Sequence, residues 1–157
     1  MCVSIIRRYW YIRKLDRLVF PEKPIAIKVV LKGKGPAAYM KDTKTRGQEP
    51  TKEWYEVVIL AKSGNDFNRA IHEVRHRVQQ YSEMPLFTRD RLTEMNKRHP
   101  EKAIQIALDY LKAIEQKYQE NLSELEQDAV IVATLIEQKC KTECNLETVS
   151  QLIKQAP

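Results

Sequence analysis

The sequence predicts an α+β domain in which a small, mainly antiparallel sheet of about three strands packs on several helices. Apolar residues alternate along residues 25–31, which is typical of a half-buried strand. Residues 54–61 are apolar on both faces, as expected of a more central strand. From Phe67 to Val78, apolar residues recur at the i, i+3, i+4, i+7 spacing of a helix with one buried face.

The remaining elements follow from shorter signals. Residues 37–40 are compatible with a short edge strand, and residues 88–97 with a short helix after Pro85. A continuous apolar stripe predicts a long helix over residues 101–121. Two further helices are predicted by their start signals: a capping box, Ser123 with Glu126, and Asn145 before a last helix at 146–155.

Length and composition favour one domain. A chain of 157 residues with 43% hydrophobic content can bury one core, so we predict a single domain over residues 1–157. Residues 1–20 form a basic amphipathic N-terminal segment, and residues 141–157 form a C-terminal helical extension. The net charge of +6 is concentrated in residues 1–100. A solvated basic face is favoured over a site for nucleic acid or an anionic membrane surface.

The chain is predicted to be cytoplasmic. Arginines interrupt every apolar run in residues 1–20, which excludes a membrane span there and does not fit a cleavable leader. Cys2, Cys140 and Cys144 are odd in number and lack the C-x-x-C spacing of a redox or zinc site. They are therefore interpreted as reduced thiols, which favours the cytoplasm.

The most specific motif in the chain is H-E-x-x-H, formed by His72, Glu73 and His76. Residues i and i+4 of a helix point the same way, so two imidazoles can share one metal ion with the glutamate beside it. A shuffled chain of this composition would contain the pattern only about 0.005 times. Helix phase places both histidines away from the apolar stripe, as ligands facing a cleft would be.

A catalytic zinc usually has three protein ligands, so a third must come from elsewhere. In the helix that begins at Ser123, Glu124 and Asp128 lie on one line, apart from the apolar stripe. Glu124 is the predicted ligand, and Asp128 the carboxylate that orients a ligand imidazole. Glu126 is a rival ligand whose alternative role is helix capping, and His99 is a further alternative.

The two motifs together resemble the gluzincin metallopeptidases, including the CAAX prenyl proteases and HtpX-like peptidases. Because membrane spans are lacking, the chain looks more like the soluble minimal gluzincins. The resemblance covers roughly residues 25–140, and it implies that the predicted single domain over residues 1–157 is a zincin-like metallopeptidase domain. It implies that His72, His76 and Glu124 bind Zn²⁺, that Glu73 is the general base, and that Asp128 is a second-shell residue.

The expected function is a zinc-dependent endopeptidase acting on a protein or peptide substrate. The alternative is a catalytically weak zincin-like scaffold that binds a protein, nucleic acid or anionic surface through its basic half; an oligomer is compatible with either. The resemblance also suggests a latent enzyme, with Cys144, Glu143 or Glu147 blocking the zinc. Against this, residues 146–153 carry apolar residues suited to a closing helix, which is the favoured interpretation.

Overall fold

The computed structural model describes most of the second half of the chain and separate segments of the first. The described residues are 13–21, 26–31, 38–42, 54–59, 66–81, 84–140 and 145–155. Six helices lie in these ranges: α1 (residues 13–19), α2 (Asp66–Tyr81), α3 (Arg89–Arg98), α4 (Lys102–Tyr118), α5 (Glu124–Lys139) and α6 (Leu146–Gln155). The basic segment up to residue 12 lies outside the described residues.

Three short strands precede α2: β1 (Ala26–Leu31), β2 (Ala38–Asp42) and β3 (Trp54–Ile59). Their order in the sheet is β1-β3-β2, so the last strand inserts between the first two. β3 pairs in parallel with β1, where Val29 is opposite Val57, and antiparallel with β2, where Met40 is opposite Val57. The sheet is thus mixed and not mainly antiparallel as predicted. Strands that are consecutive in sequence commonly pair as antiparallel hairpins, which is what the prediction assumed. Here β3 lies between β1 and β2, so these two consecutive strands do not pair.

The predicted α+β fold class is wrong, because the described core is helical. Of the residues whose side chains the structure describes, 80% lie in helices and none in a strand. The described core consists of side chains from the helices together with Phe87 from a connecting segment. The reason is that the apolar stripe of α2 packs against α5 and α6, whereas the predicted fold packed the sheet on this helix and its neighbours. Helix-on-helix packing therefore positions the candidate site.

α5 is the central helix of this core. Its buried residues extend without a gap from Asp128 to Thr134, and Ile136 is also buried. A helix that is apolar around most of its circumference must be surrounded by other elements. Here α2, α4 and α6 all pack against it.

The helix boundaries agree closely with their sequence signals. Thr88 caps α3 by accepting a hydrogen bond from the Arg91 amide, and Asn145 accepts one from Thr148 at the start of α6. At the end of α4, Gln119 adopts a left-handed conformation with φ 51°. That residue ends the helix and turns the chain toward α5.

α1 is attached to α2 through a buried ion pair. Arg77 Nη1 donates hydrogen bonds to both carboxylate oxygens of Asp16 at 2.6 Å, and its guanidinium lies 4.3 Å from the ring centre of Phe20. Leu15 and Val19 add apolar contacts to the core. Residues 13–20 of the N-terminal segment are therefore packed on the domain.

α6 packs as a closing helix. Val149 and Ile153 are fully buried and belong to the core, as expected from the apolar spacing of the segment. Cys144 and Glu143, considered above as blocking residues, lie outside the described residues. Cys140 is disulfide-bonded, so the prediction that it is a reduced thiol is wrong. Among the described residues, no helix has both the length and the apolar character needed to cross a membrane.

Candidate metal centre

The two histidines of the H-E-x-x-H motif lie side by side on α2. Ala70, Ile71 and Val74 are fully buried and turn one face of the helix to the core. On another face, the side chains of His72 and His76 are 19% and 20% exposed. Their Nε2 atoms are 3.1 Å apart, and their rings meet edge to face with centroids 4.7 Å apart. The two imidazoles thus present the same ring atom to one point.

Glu126, near the start of α5, completes this cluster. One carboxylate oxygen lies 2.8 Å from Nε2 of His76 and the other lies 3.2 Å from Nε2 of His72. The backbone amide of Glu126 donates to the hydroxyl of Ser123, so Ser123 caps the start of α5 as predicted. The side chain of Glu126 is therefore available to the imidazoles while its backbone serves the cap.

The structure does not bring Glu124, the predicted third ligand, into the cluster. Glu124 is exposed, and the group of described residues able to hold a metal consists of His72, His76 and Glu126. The prediction from helix phase is wrong because it assumed that one face of α5 is polar along its length. The middle of that helix is in fact buried on all sides. His99, the other alternative, is exposed at the end of α3 and is not in the cluster.

Electrostatic interactions within the cluster favour the charged forms of His76 and Glu126. Burial alone would lower the pKa of His76, but hydrogen bonds and charge from Glu126, with contributions from Gln79 and Glu73, raise that pKa to about 8. Hydrogen bonds from His72 and then His76 hold the pKa of Glu126 well below its usual range. Without a metal, the charged His76 ring and the Glu126 carboxylate therefore form an ion pair.

Asp128 lies behind this cluster, fully buried. Its carboxylate accepts two hydrogen bonds from Arg75, at 2.8 and 3.1 Å, and one from the amide of Phe87 at 2.8 Å. It reaches His76 only through Gln79, whose amide nitrogen donates to Asp128 at 2.7 Å and whose oxygen lies 2.9 Å from Nδ1 of His76. The predicted second-shell role of Asp128 thus involves an intermediate residue.

Sequence reasoning missed both Gln79 and Arg75. A signal existed for Gln79, because it follows His76 by three residues and side chains at that spacing are neighbours on a helix. The sequence contains no signal for Arg75, because an arginine on a helix is expected to be exposed to solvent, whereas Arg75 is 1% exposed. Only its ion pair with Asp128 explains how a guanidinium can be buried there.

Glu73, the predicted general base, is 2% exposed. Its charge is close enough to contribute to the raised pKa of His76. A carboxylate therefore lies beside the cluster and is not itself one of the three converging groups.

The cluster fits a tetrahedral zinc ion. Zinc bonds to nitrogen and oxygen of about 2.0–2.1 Å place neighbouring ligand atoms of a tetrahedron about 3.3 Å apart. The two Nε2 atoms lie 3.1 Å apart, close to this value, and each lies within 3.2 Å of one of the two carboxylate oxygens of Glu126. Two imidazole nitrogens and a carboxylate oxygen are also a donor set that catalytic zinc uses.

A separate groove of about 690 Å³ lies between α3 and α4. Amide side chains and charged side chains of both signs line the groove, the charged ones including Arg89, Asp109 and Lys112. Arg89 forms an ion pair with Glu115 within it. It contains none of the three cluster residues. The candidate centre is therefore the cluster between α2 and α5.

Glu126→Ala is expected to weaken zinc binding more than Glu124→Ala, because only the first removes a carboxylate from the cluster. The expected loss is at least the 10–100-fold that is typical of removing an outer-shell partner. Competition with a chromophoric chelator would measure it, and the exposed Glu124 is the matched control. Equal affinities, or a larger loss in Glu124→Ala, would contradict the assignment of Glu126.

Zinc affinity is expected to rise with pH up to about 8 and then level off. The pKa of His76 is raised to about 8, so below that pH a proton occupies this ligand and must be released when the metal binds. One released proton corresponds to about a ten-fold gain in affinity per pH unit. Chelator competition between pH 6 and 9 would measure this, and a flat profile would contradict the proton competition.

Comparison of the chain with protein-family models, curated proteins and solved structures gave no match.

Proposed function

We propose that this chain is a zinc-dependent endopeptidase. The observation that carries the proposal is the convergence of His72 Nε2, His76 Nε2 and the Glu126 carboxylate: the two nitrogens lie 3.1 Å apart, and each lies within 3.2 Å of a carboxylate oxygen. A zinc ion held there would lower the pKa of a water molecule and polarise a substrate carbonyl. The gluzincin-like motif supports the same choice of metal and reaction.

Each residue has a separate task in this proposal. His72, His76 and Glu126 hold the ion, so Glu126 replaces Glu124 as the proposed third ligand. Glu73 takes a proton from the attacking water and delivers it to the departing amine, which requires a carboxylate near the centre that does not bind the ion.

The decisive experiment is to measure metal content and peptide hydrolysis in the same preparation. Full-length protein purified without chelators is expected to contain about one zinc ion per chain, which is the stoichiometry of a three-ligand catalytic site. Hydrolysis of a mixed library of quenched fluorescent peptides should be lost with a chelator and return with zinc. His72→Ala is the control that removes the site. A full-length protein that binds no zinc, even when zinc is added, overturns the proposal.

A cytoplasmic location is a further part of this proposal, supported by the absence of a membrane-spanning helix among the described residues. The disulfide at Cys140 counts against a cytoplasmic location, because disulfides are rare in the cytosol. Alkylation of the protein in fractionated cells would decide the matter. A reduced Cys140 in the cytosolic fraction supports the proposal, whereas oxidised protein found only outside that fraction contradicts it.

A further inference from the structure

The side-chain amide of Gln79 has one possible orientation. Its nitrogen lies 2.8 Å from the carbonyl oxygen of Leu125 and 2.7 Å from a carboxylate oxygen of Asp128. Both partners are acceptors, so the amide group facing them must be the NH₂, which has two hydrogens to donate. Oε1 of Gln79 is consequently the atom that faces His76.

This orientation determines which ring nitrogen of His76 can bind a metal. Oε1 of Gln79 lies 2.9 Å from Nδ1 of His76 and can only accept, so Nδ1 must carry a hydrogen. The lone pair for a metal is then left to Nε2. That is the atom that points to His72 and Glu126.

Gln79 is itself held by a rigid support. Asp128 receives two hydrogen bonds from Arg75, whose remaining terminal nitrogen donates to the carbonyl oxygen of Ile153 at 2.6 Å. Arg75 and Asp128 are at most 1% exposed. Side chains from α2 and α5, and a backbone carbonyl of α6, thus set the position of the amide that faces His76.

We propose that Gln79 is a positioning residue, which holds the ring of His76 with Nε2 directed at the metal. This inference rests on the proposed metal centre and names a residue that acts on it through a ligand. Outer-shell partners of this kind orient ligating imidazoles and select their tautomer. Gln79 lies on α2, the helix that also carries His76, and the buried ion pair of Arg75 and Asp128 holds the Gln79 amide in place.

Gln79→Met tests the proposal, because methionine has a similar length but its thioether sulfur is only a weak acceptor for the Nδ1 hydrogen. The matched control is Gln127→Met. Gln127 is also partly buried and its amide also makes two structural hydrogen bonds, to the amide of Arg89 and the carbonyl of Leu122, but it contacts no imidazole. Thermal unfolding of both variants would show that each is folded.

The first readout is cobalt binding by full-length protein, followed through the visible absorption of tetrahedral Co²⁺. Gln79→Met is expected to lower Co²⁺ affinity about 10–100-fold and to alter the spectrum, whereas Gln127→Met should change neither. Parent-like affinity and spectrum in Gln79→Met overturn the inference and leave the proposed metal centre intact.

The second readout needs no metal. In ¹⁵N-labelled metal-free protein at pH 6, the Nδ1–H of His76 should give an exchange-protected signal that is lost in Gln79→Met and kept in Gln127→Met. A parent protein that binds no Co²⁺ overturns the proposed function. In that case, loss of the Nδ1–H signal in Gln79→Met still supports positioning of the His76 ring, and persistence of the signal overturns it.

Discussion

Asp128→Ala is expected to lower the free energy of unfolding by about 3–5 kcal/mol, because it leaves the buried guanidinium of Arg75 without its countercharge. The carboxylate is fully buried and accepts hydrogen bonds from Arg75, Gln79 and the amide of Phe87. The variant would therefore lose a link between α2, α5 and the segment before α3. Urea unfolding of metal-free protein, followed by circular dichroism, would measure the change.

A double variant separates the ion pair from simple loss of packing. Arg75→Met with Asp128→Leu replaces both charges by apolar side chains, and such exchanges of buried pairs are often neutral or stabilising. We expect it to recover most of the stability lost in Asp128→Ala. Asp90→Ala, an exposed carboxylate in the first turn of α3, is the control. A loss below about 1 kcal/mol in Asp128→Ala, the scale of a single ordinary hydrogen bond, would contradict this account.

Glu73→Gln is expected to lower peptide hydrolysis by about 10²–10⁴-fold, the usual contribution of a general base. Glutamine keeps the size of this buried side chain but cannot take a proton from water. Zinc content should stay at the parental value because Glu73 is not one of the three converging groups. Metal analysis and the fluorescent peptide assay on one preparation would measure both quantities.

The matched control for this variant is Glu124→Gln, in which an exposed carboxylate on a neighbouring helix is neutralised in the same way. It should retain both zinc and activity. If Glu73→Gln hydrolyses peptides as fast as the parent, Glu73 is not the base. If it loses zinc together with activity, its role is to hold the centre together and not to transfer protons.

The motif and the helix signals were predictable because they depend on local spacing. His72 and His76 share a face of α2 as a direct consequence of the helical repeat. Ser123 and Asn145 cap helices because their oxygens accept bonds from backbone amides within three residues. Such interactions lie within one turn of a helix, so the amino-acid order alone identifies them.

The choice between Glu124 and Glu126 was decided only by the tertiary structure. Both lie in the first turn of α5, and which carboxylate meets the imidazoles depends on how α5 is rotated and placed against α2. The sequence shows the apolar face of a helix that is exposed on one side. It does not show the rotation of a helix that is buried all round, as the middle of α5 is.

What the sequence determined by itself is therefore the local chemistry: two imidazoles one helical turn apart, a glutamate beside them, and the starts of the helices. Only the tertiary structure decided the mainly helical core, the mixed order of the sheet, the third carboxylate and the support that Arg75 and Asp128 give to Gln79. The physical reason is sequence distance. Arg75 and Asp128 are 53 residues apart, and the pairing of charges so far apart depends on how whole helices pack.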